Sequence, residues 1–202
     1  EVVTHAASGR PFTTKYAQSV FGQQRTSLDT AYPGDVIGLV NATALRPGDT
    51  LYVDEPVEYP AIPSFAPEHF AVARGSDTSK HKQFRRGIAQ LEQEGVVQVL
   101  RSDLRGDQAP VLAAVGPMQF EVASHRMGGE LSAPMQLEHL SYTVARRTRP
   151  EDAQFLQAQR GVEVLTRTDG ALLALFSDKW WMETLLRNNP DLVLEPLIAA
   201  AD

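Results

Sequence analysis

The 202-residue chain contains no cysteine, which excludes a disulfide framework, a thiolate nucleophile, an iron–sulfur site and a cysteine zinc knuckle. That absence fits a reducing compartment. Long apolar runs are missing as well. Even Ala171 to Phe176 is bracketed by Asp169 and Asp178, far short of the roughly 18 apolar residues that cross a bilayer. The expectation is a soluble protein with no membrane partner. There is no basic and apolar leader, and Glu1-Val2-Val3-Thr4 reads as a strand without an initiator Met. These features predict a chain that begins inside a domain and belongs to something longer.

Excess positive charge is also lacking. The net charge of −6 repels a polyanion, so contact with nucleic acid has to come from local patches. Two stand out: Lys80, Lys82, Arg85 and Arg86 on one predicted helix, and the run Arg146, Arg147 and Arg149. A solvated face is the competing reading for each.

Residues 1 to 62 carry strand and turn signals with no helical period. Val2–His5, Phe12–Tyr16, Ser19–Phe21, Val36–Val40 and Thr50–Val53 are short runs separated by Gly, Pro, Asn or Asp. Tyr32-Pro33-Gly34-Asp35 and Arg46-Pro47-Gly48-Asp49 place Pro and Gly where a type II turn needs them. This segment reads as a partial all-β barrel with an exposed edge. Pro56, Pro60, Pro63 and Pro67 then mark a boundary, giving expected domains 1–62 and 63–202.

Beyond the boundary, strands and helices alternate, so the fold class is α+β. Residues 69 to 139 give β-α-β-β-α-β, the order of a ferredoxin-like α/β plait with an antiparallel sheet. The first helix is capped by Ser76 or Asp77 and stopped at Gly95; the second starts at Pro117 and ends at Gly128-Gly129. Residues 142 to 194 repeat the order β-α-β-β-α-β without matching letters, as a second plait or an extension of the first sheet. One long bent strand across Met135–Thr148 is an alternative. Trp180 and Trp181, about 100° apart on a helix, place one ring inward and leave the other for core or partner.

Catalytic constellations are absent. The sequence has no G-x-x-x-x-G-K-[ST] phosphate loop, no G-x-G-x-x-G, no H-E-x-x-H and no G-x-S-x-G. His5, His69, His81, His125 and His139 are scattered, and the neighbours Ser124 and His125 diverge on one helix. No catalytic, cofactor-binding or metal residue is assigned. An enzyme acting alone has the least support, and a ligand-sensing ferredoxin-like regulatory module is the alternative to a docking role.

Four segments together resemble the bacterial class-II peptide chain release factor family, which are translational GTPases. They are Ala31-Tyr32-Pro33-Gly34-Asp35-Val36-Ile37-Gly38-Leu39, Ile62-Pro63-Ser64-Phe65-Ala66-Pro67-Glu68-His69-Phe70, Gln90-Leu91-Glu92-Gln93-Glu94-Gly95-Val96-Val97-Gln98-Val99, and Ala114-Val115-Gly116-Pro117-Met118-Gln119-Phe120-Glu121-Val122. The resemblance implies that residues 1–62 are the later part of the β-barrel second domain and that residues 63–202 are the α/β third domain. It implies a noncatalytic, cytoplasmic, ribosome-docking portion of a factor that recycles class-I release factors after termination. GTP and Mg²⁺ would belong to the G domain of the intact protein, outside this chain. Implied partners are small-subunit rRNA and protein, the class-I factor indirectly, and the parent's own G domain. The family offers no compact ribosome-contact motif, so Lys80, Lys82, Arg85, Arg86, Arg146, Arg147 and Arg149 stand as candidate contacts on charge alone.

Overall fold

A computed structural model describes residues 2–14, 17–21, 24–60, 62, 65–102, 105, 106 and 108–197. Tyr16 at the end of one predicted strand, Pro63 and Ser64 of the second quoted segment, and Asp103, Leu104 and Asp107 of a predicted turn lie outside them. The chain forms two compact units, which divide between Ile62 and Pro63.

The first unit holds two antiparallel three-stranded sheets. In one, β1 (Val2–His5) lies between β2 (Arg10–Thr13) and β6 (Leu51–Tyr52); in the other, β3 (Gln18–Phe21) lies between β4 (Gln24–Ser27) and β5 (Ile37–Gly38). The partial barrel is thus two short sheets flanking an open 320 Å³ cleft lined by Val3, Leu28, Ile37 and Leu51. Strand β4 has no counterpart in the sequence reading, because Gln24-Arg25-Thr26-Ser27 lacks the apolar alternation that signals a strand.

Both Pro-Gly turns form. Gly34 (φ +98°) and Gly48 (φ +92°) adopt the left-handed backbone of type II turns. The amides of Asp35 and Asp49 donate to the carbonyls of Tyr32 and Arg46 at 3.0 Å, and each Asp carboxylate accepts from the amide three residues earlier. His5 Nε2, 3.0 Å from Asp49 Oδ2, ties β1 to the second turn.

The second unit is one eight-stranded antiparallel sheet with four helices. Its strands are β7 (His69–Gly75), β8 (Gln98–Arg101), β9 (Val111–Ala114), β10 (Met135–Leu140), β11 (Val144–Thr148), β12 (Val162–Arg167), β13 (Leu172–Phe176) and β14 (Leu194–Pro196). Its helices are α1 (His81–Gln93), α2 (Met118–Gly129), α3 (Pro150–Gln157) and α4 (Lys179–Asn188). The strand order β10-β7-β9-β8-β12-β13-β11-β14 is one plait followed by a second in reverse order. They meet at a short seam, Thr166 opposite Arg101 and Arg167 opposite Leu100. Both open readings are therefore realised: the second half is a plait and it extends the first sheet.

This sheet cannot be flat. Strands β10 and β11 are six places apart in the order, about 29 Å at ordinary strand spacing. Yet the four-residue step from Leu140 to Val144 reaches at most about 14 Å. The sheet must fold over at the seam so that its halves face each other, and the packing agrees. Phe70, Val72, Leu100, Val111, Ala145, Leu173 and Leu175 form one cluster between the halves. Ala71, Val99 and Leu112 pack instead on Phe84, Ile88 and Leu91 of α1 and Phe120 and Met127 of α2. Ala174 and Phe176 pack on Leu156 of α3 and Met182 and Leu185 of α4. The result is a four-layer α-β-β-α sandwich. A single bent strand across Met135–Thr148 does not form, because residues 141–143 carry the chain from one half of the folded sheet to the other.

An ion pair joins the plaits at one end of the inter-sheet layer. Arg105, in the β8–β9 connection, donates from Nε (2.9 Å) and Nη2 (2.6 Å) to the Glu163 carboxylate on β12, and the Tyr142 hydroxyl donates to the same group at 3.2 Å. Glu163 is buried. Burial, followed by the negative charge of Glu163, raises the Tyr142 phenol above its usual range and so keeps it a donor.

At the β12–β13 hairpin, Arg167 grips Asp169 with two bonds of 2.9 and 2.6 Å, and the Ala171 amide adds a third. These hold the Asp169 carboxyl down at about 2, against an ordinary 3.8. The unfolded chain takes up this proton near pH 3.8, whereas the folded hairpin refuses it until about pH 2. The hairpin's contribution is therefore full above pH 4 and lost as pH falls toward 2. Melting temperature measured against pH should fall less steeply below about pH 4 in Asp169→Asn than in the parent chain; parallel curves would refute this.

Candidate functional site

Helix α1 carries the first basic group. Phe84, Gly87, Ile88 and Leu91 are its buried positions, an i, i+3, i+4, i+7 stripe that seats the helix on the sheet. The opposite crest carries Lys82 and Arg86 one turn apart, both exposed; Arg85 is exposed on the flank, beside Glu92 and Arg101. Lys80 is half-buried at the end of the 3₁₀ turn Thr78–Lys80 that leads into α1. Asp77 caps that turn. The Ser79 hydroxyl and amide, with a smaller contribution from Lys80, hold its carboxyl below the usual range. Gly95 (φ +73°) ends the helix as expected.

Lys82, Arg85 and Arg86 form no ion pair among the described residues. The charge order also opposes the helix dipole: the first turn has no acidic residue and the last no basic one. Cations at a helix N-terminus cost about 0.3–1 kcal/mol each. This arrangement is not explained by helix stability. Lys82→Glu is expected to stabilise the second unit by about 0.5 kcal/mol in chemical denaturation, and a loss of stability would contradict that.

The second basic run is not one patch. Arg146 and Arg147 stand on opposite faces of β11, opposite Ala174 and Leu173 respectively. Arg146 is half-buried on the helix side, and its Nη1 donates to the Ala145 carbonyl at 2.8 Å. Arg149 ties the start of α3 to the loop before β14: Nε lies 2.8 Å from Asp152 Oδ2, and Nη2 donates to the Asp191 carbonyl at 2.9 Å. The Asp152 carboxylate raises the Arg149 pKa, and Arg149 lowers that of Asp152. Arg147 is exposed and reaches a cleft at the end of the inter-sheet layer.

The segment around Pro117 is a rigid turn. Gln119 Oε1 accepts from the amides of Val115 (2.7 Å) and Gly116 (3.2 Å), and its Nε2 donates to the Val96 carbonyl at 2.8 Å. Pro117 sits at the cap of α2, not at its first helical position, and both Gly128 and Gly129 lie within the helix. Gln119 escaped the sequence reading, although a Gln shortly after a Gly-Pro pair is a recognisable capping signal. Trp181 packs on the α3–α4 core and Trp180 is 71% exposed. No group of three or more His, Asp or Glu side chains suited to a metal ion occurs among the described residues. No helix among them is long and apolar enough to cross a membrane.

The chain is a partial barrel followed by a double plait, and the two families it matches place it in the class of translation-factor portions. Residues 1–54 match the family described as Elongation factor G domain 2, and residues 59–186 match the one described as Class II release factor RF3, C-terminal domain. The chain belongs to the class II release factor family.

Curated relatives called Peptide chain release factor 3 include those of Microcystis aeruginosa (38% identical over 198 residues), Nostoc punctiforme (39% over 198) and Symbiobacterium thermophilum (38% over 193). The alignments cover 97%, 97% and 95% of this chain but 36% of each relative. The chain therefore spans about a third of the length of the relatives it matches. A crystal structure of a Thermus thermophilus protein shares the fold with a TM-score of 0.58 at 12% identity, covering 85% of this chain and 25% of that one.

Proposed function

We propose that this chain is the noncatalytic, ribosome-docking portion of a class II peptide chain release factor. In this reading the intact factor is a cytoplasmic GTPase that promotes dissociation and recycling of class-I release factors. GTP and Mg²⁺ would be held by a G domain outside these residues, and the small subunit would be the main docking partner. Residues 1–62 would serve as the later part of the barrel domain and residues 63–202 as the third domain. Family membership supports the reading. The ligand-sensing alternative is not favoured by it.

Within the chain, the observation that carries the docking role is the unpaired crest of α1, where Lys82 stands in the first turn against the helix dipole. It presents no large exposed apolar side chain. Protein interfaces centre on aromatic and apolar anchors, so this crest suits a phosphate backbone. Engaging about three phosphates would give log affinity a slope of about −2 to −3 against log salt.

Cosedimentation with small subunits at graded salt tests this. Arg85→Glu with Arg86→Glu is expected to weaken binding at least about tenfold and to flatten the slope. The charge-matched control, Arg160→Glu with Arg187→Glu, alters two exposed arginines of the second plait. Equal loss in both pairs, or no binding by the parent chain, would overturn the reading.

A further inference from the structure

Arg147 lines a cleft of about 290 Å³ together with Phe65, Gln98, Arg167 and Glu195. The cleft lies at the end of the inter-sheet layer opposite the Arg105–Glu163 pair: Gln98 opens β8, Arg167 closes β12, and Arg147 and Glu195 face each other across β11 and β14. Arg147 and Glu195 are cross-strand partners, yet they form no ion pair, and neither has another partner among the described residues. Opposite charges this close in a ladder ordinarily satisfy each other. Here an unpaired guanidinium and an unpaired carboxylate, both exposed, line one space. Gln98 Oε1 on the same wall is buried without a partner, and buried polar atoms are seldom left so. Phe65 offers an exposed ring (71%) at the rim.

We propose that this cleft binds one nucleotide with an amino-bearing base, either free or as an unpaired residue of an RNA strand. The guanidinium of Arg147 takes the phosphate as a charge-assisted fork. The ring of Phe65 stacks on the base. Glu195 accepts from an exocyclic amino group, as carboxylates do from cytosine N4. A free amino acid would also satisfy one cation and one anion. The guanidinium of Arg167 is already gripped by Asp169, so one free cation and one free carboxylate remain in the lining, and the aromatic rim, which a small zwitterion would leave unused, favours the nucleotide. The volume is at the lower end of ligand pockets, which suits a mononucleotide and excludes a dinucleotide cofactor. The site is separate from α1 and does not depend on the docking reading.

Titration of the whole chain with CMP, UMP, inorganic phosphate and glutamine, followed by amide chemical shifts in NMR, tests the proposal. CMP should give saturable shifts at Gln98, Arg147 and Glu195, with UMP at least about fivefold weaker. Arg147→Ala should weaken CMP at least about tenfold. Phe65→Ala, outside any strand or helix, should weaken it without changing the melting temperature. Glu195→Gln should narrow the CMP-to-UMP ratio. Single-stranded oligocytidylate binding more tightly than CMP would identify a strand as the source, and equal binding a free nucleotide; Arg147→Ala must weaken both. Shifts reproduced by phosphate alone, saturation by glutamine but not CMP, or CMP binding unchanged in Arg147→Ala would each overturn it.

Discussion

Arg105→Ala is expected to destabilise the second unit by about 3 kcal/mol, lowering its melting temperature by about 10 °C. The reason is what it leaves behind. Glu163 has 5% of its side chain exposed and would be left buried with only the 3.2 Å Tyr142 bond to offset its desolvation. Tyr142→Phe removes only that bond and should cost about 1 kcal/mol. Arg105→Met combined with Glu163→Leu should recover much of the loss, since an apolar pair of similar volume needs no compensation. Urea denaturation of the three variants measures the ordering. An Arg105→Ala cost below about 1 kcal/mol would show that water already screens this carboxylate.

Gly87→Ala and Gly128→Ala should shift stability in opposite directions. In a bare helix, either change would gain about 1 kcal/mol in propensity. A β-carbon at Gly87, however, would lie 2.6 Å from Met127 Sδ and 3.2 Å from Leu131 Cδ1, where α1 crosses α2. Met127 is fully buried and has little space into which to move. Overpacking costs about 1–3 kcal/mol, so after the propensity gain the net effect of Gly87→Ala is a loss of up to about 2 kcal/mol. Gly128 has nothing within 4 Å of its would-be β-carbon, and its alanine variant should gain about 0.5–1 kcal/mol. Thermal denaturation of the two variants decides, and a stabilised Gly87→Ala would mean that α1 and α2 can move apart.

Much of the second unit was legible in the sequence because its strands are short apolar runs flanked by breakers. The apolar runs predict a strand over Val162–Arg167 and a helix over Lys179–Asn189; the strand forms over those residues, and α4 stops one residue short at Asn188. Strands are predicted over Val96–Leu100 and Leu192–Leu194, but β8 and β14 each start two residues later, because Val96 and Leu192 are apolar and pack on the core without joining a ladder. The type II turns were readable because proline and glycine act locally. The fold-over of the sheet was not, since it depends on contacts between residues such as Phe70 and Leu173 that are distant in sequence.

The same limit applies to the candidate sites. The crest of α1 could be read from helical spacing. The scattering of Arg146, Arg147 and Arg149 depends on pleat and partners, which charge alone does not reveal. Glu163 carried a signal that went unread: it shares a strand face with Leu165, and a carboxylate alternating in phase with leucine points to a buried partner.

Among the described residues, none before Pro67 is buried. Amide protons of the two small sheets should therefore trade with deuterium through shallow, local openings, whereas those of β7, β9 and β13 wait for global unfolding. A calorimetric peak from this chain would then report almost entirely on the sandwich, and a protease would cut ahead of it first. Any partner that presses an apolar strand against the amino-terminal sheets would reveal itself as slowed exchange there, with the main transition unmoved.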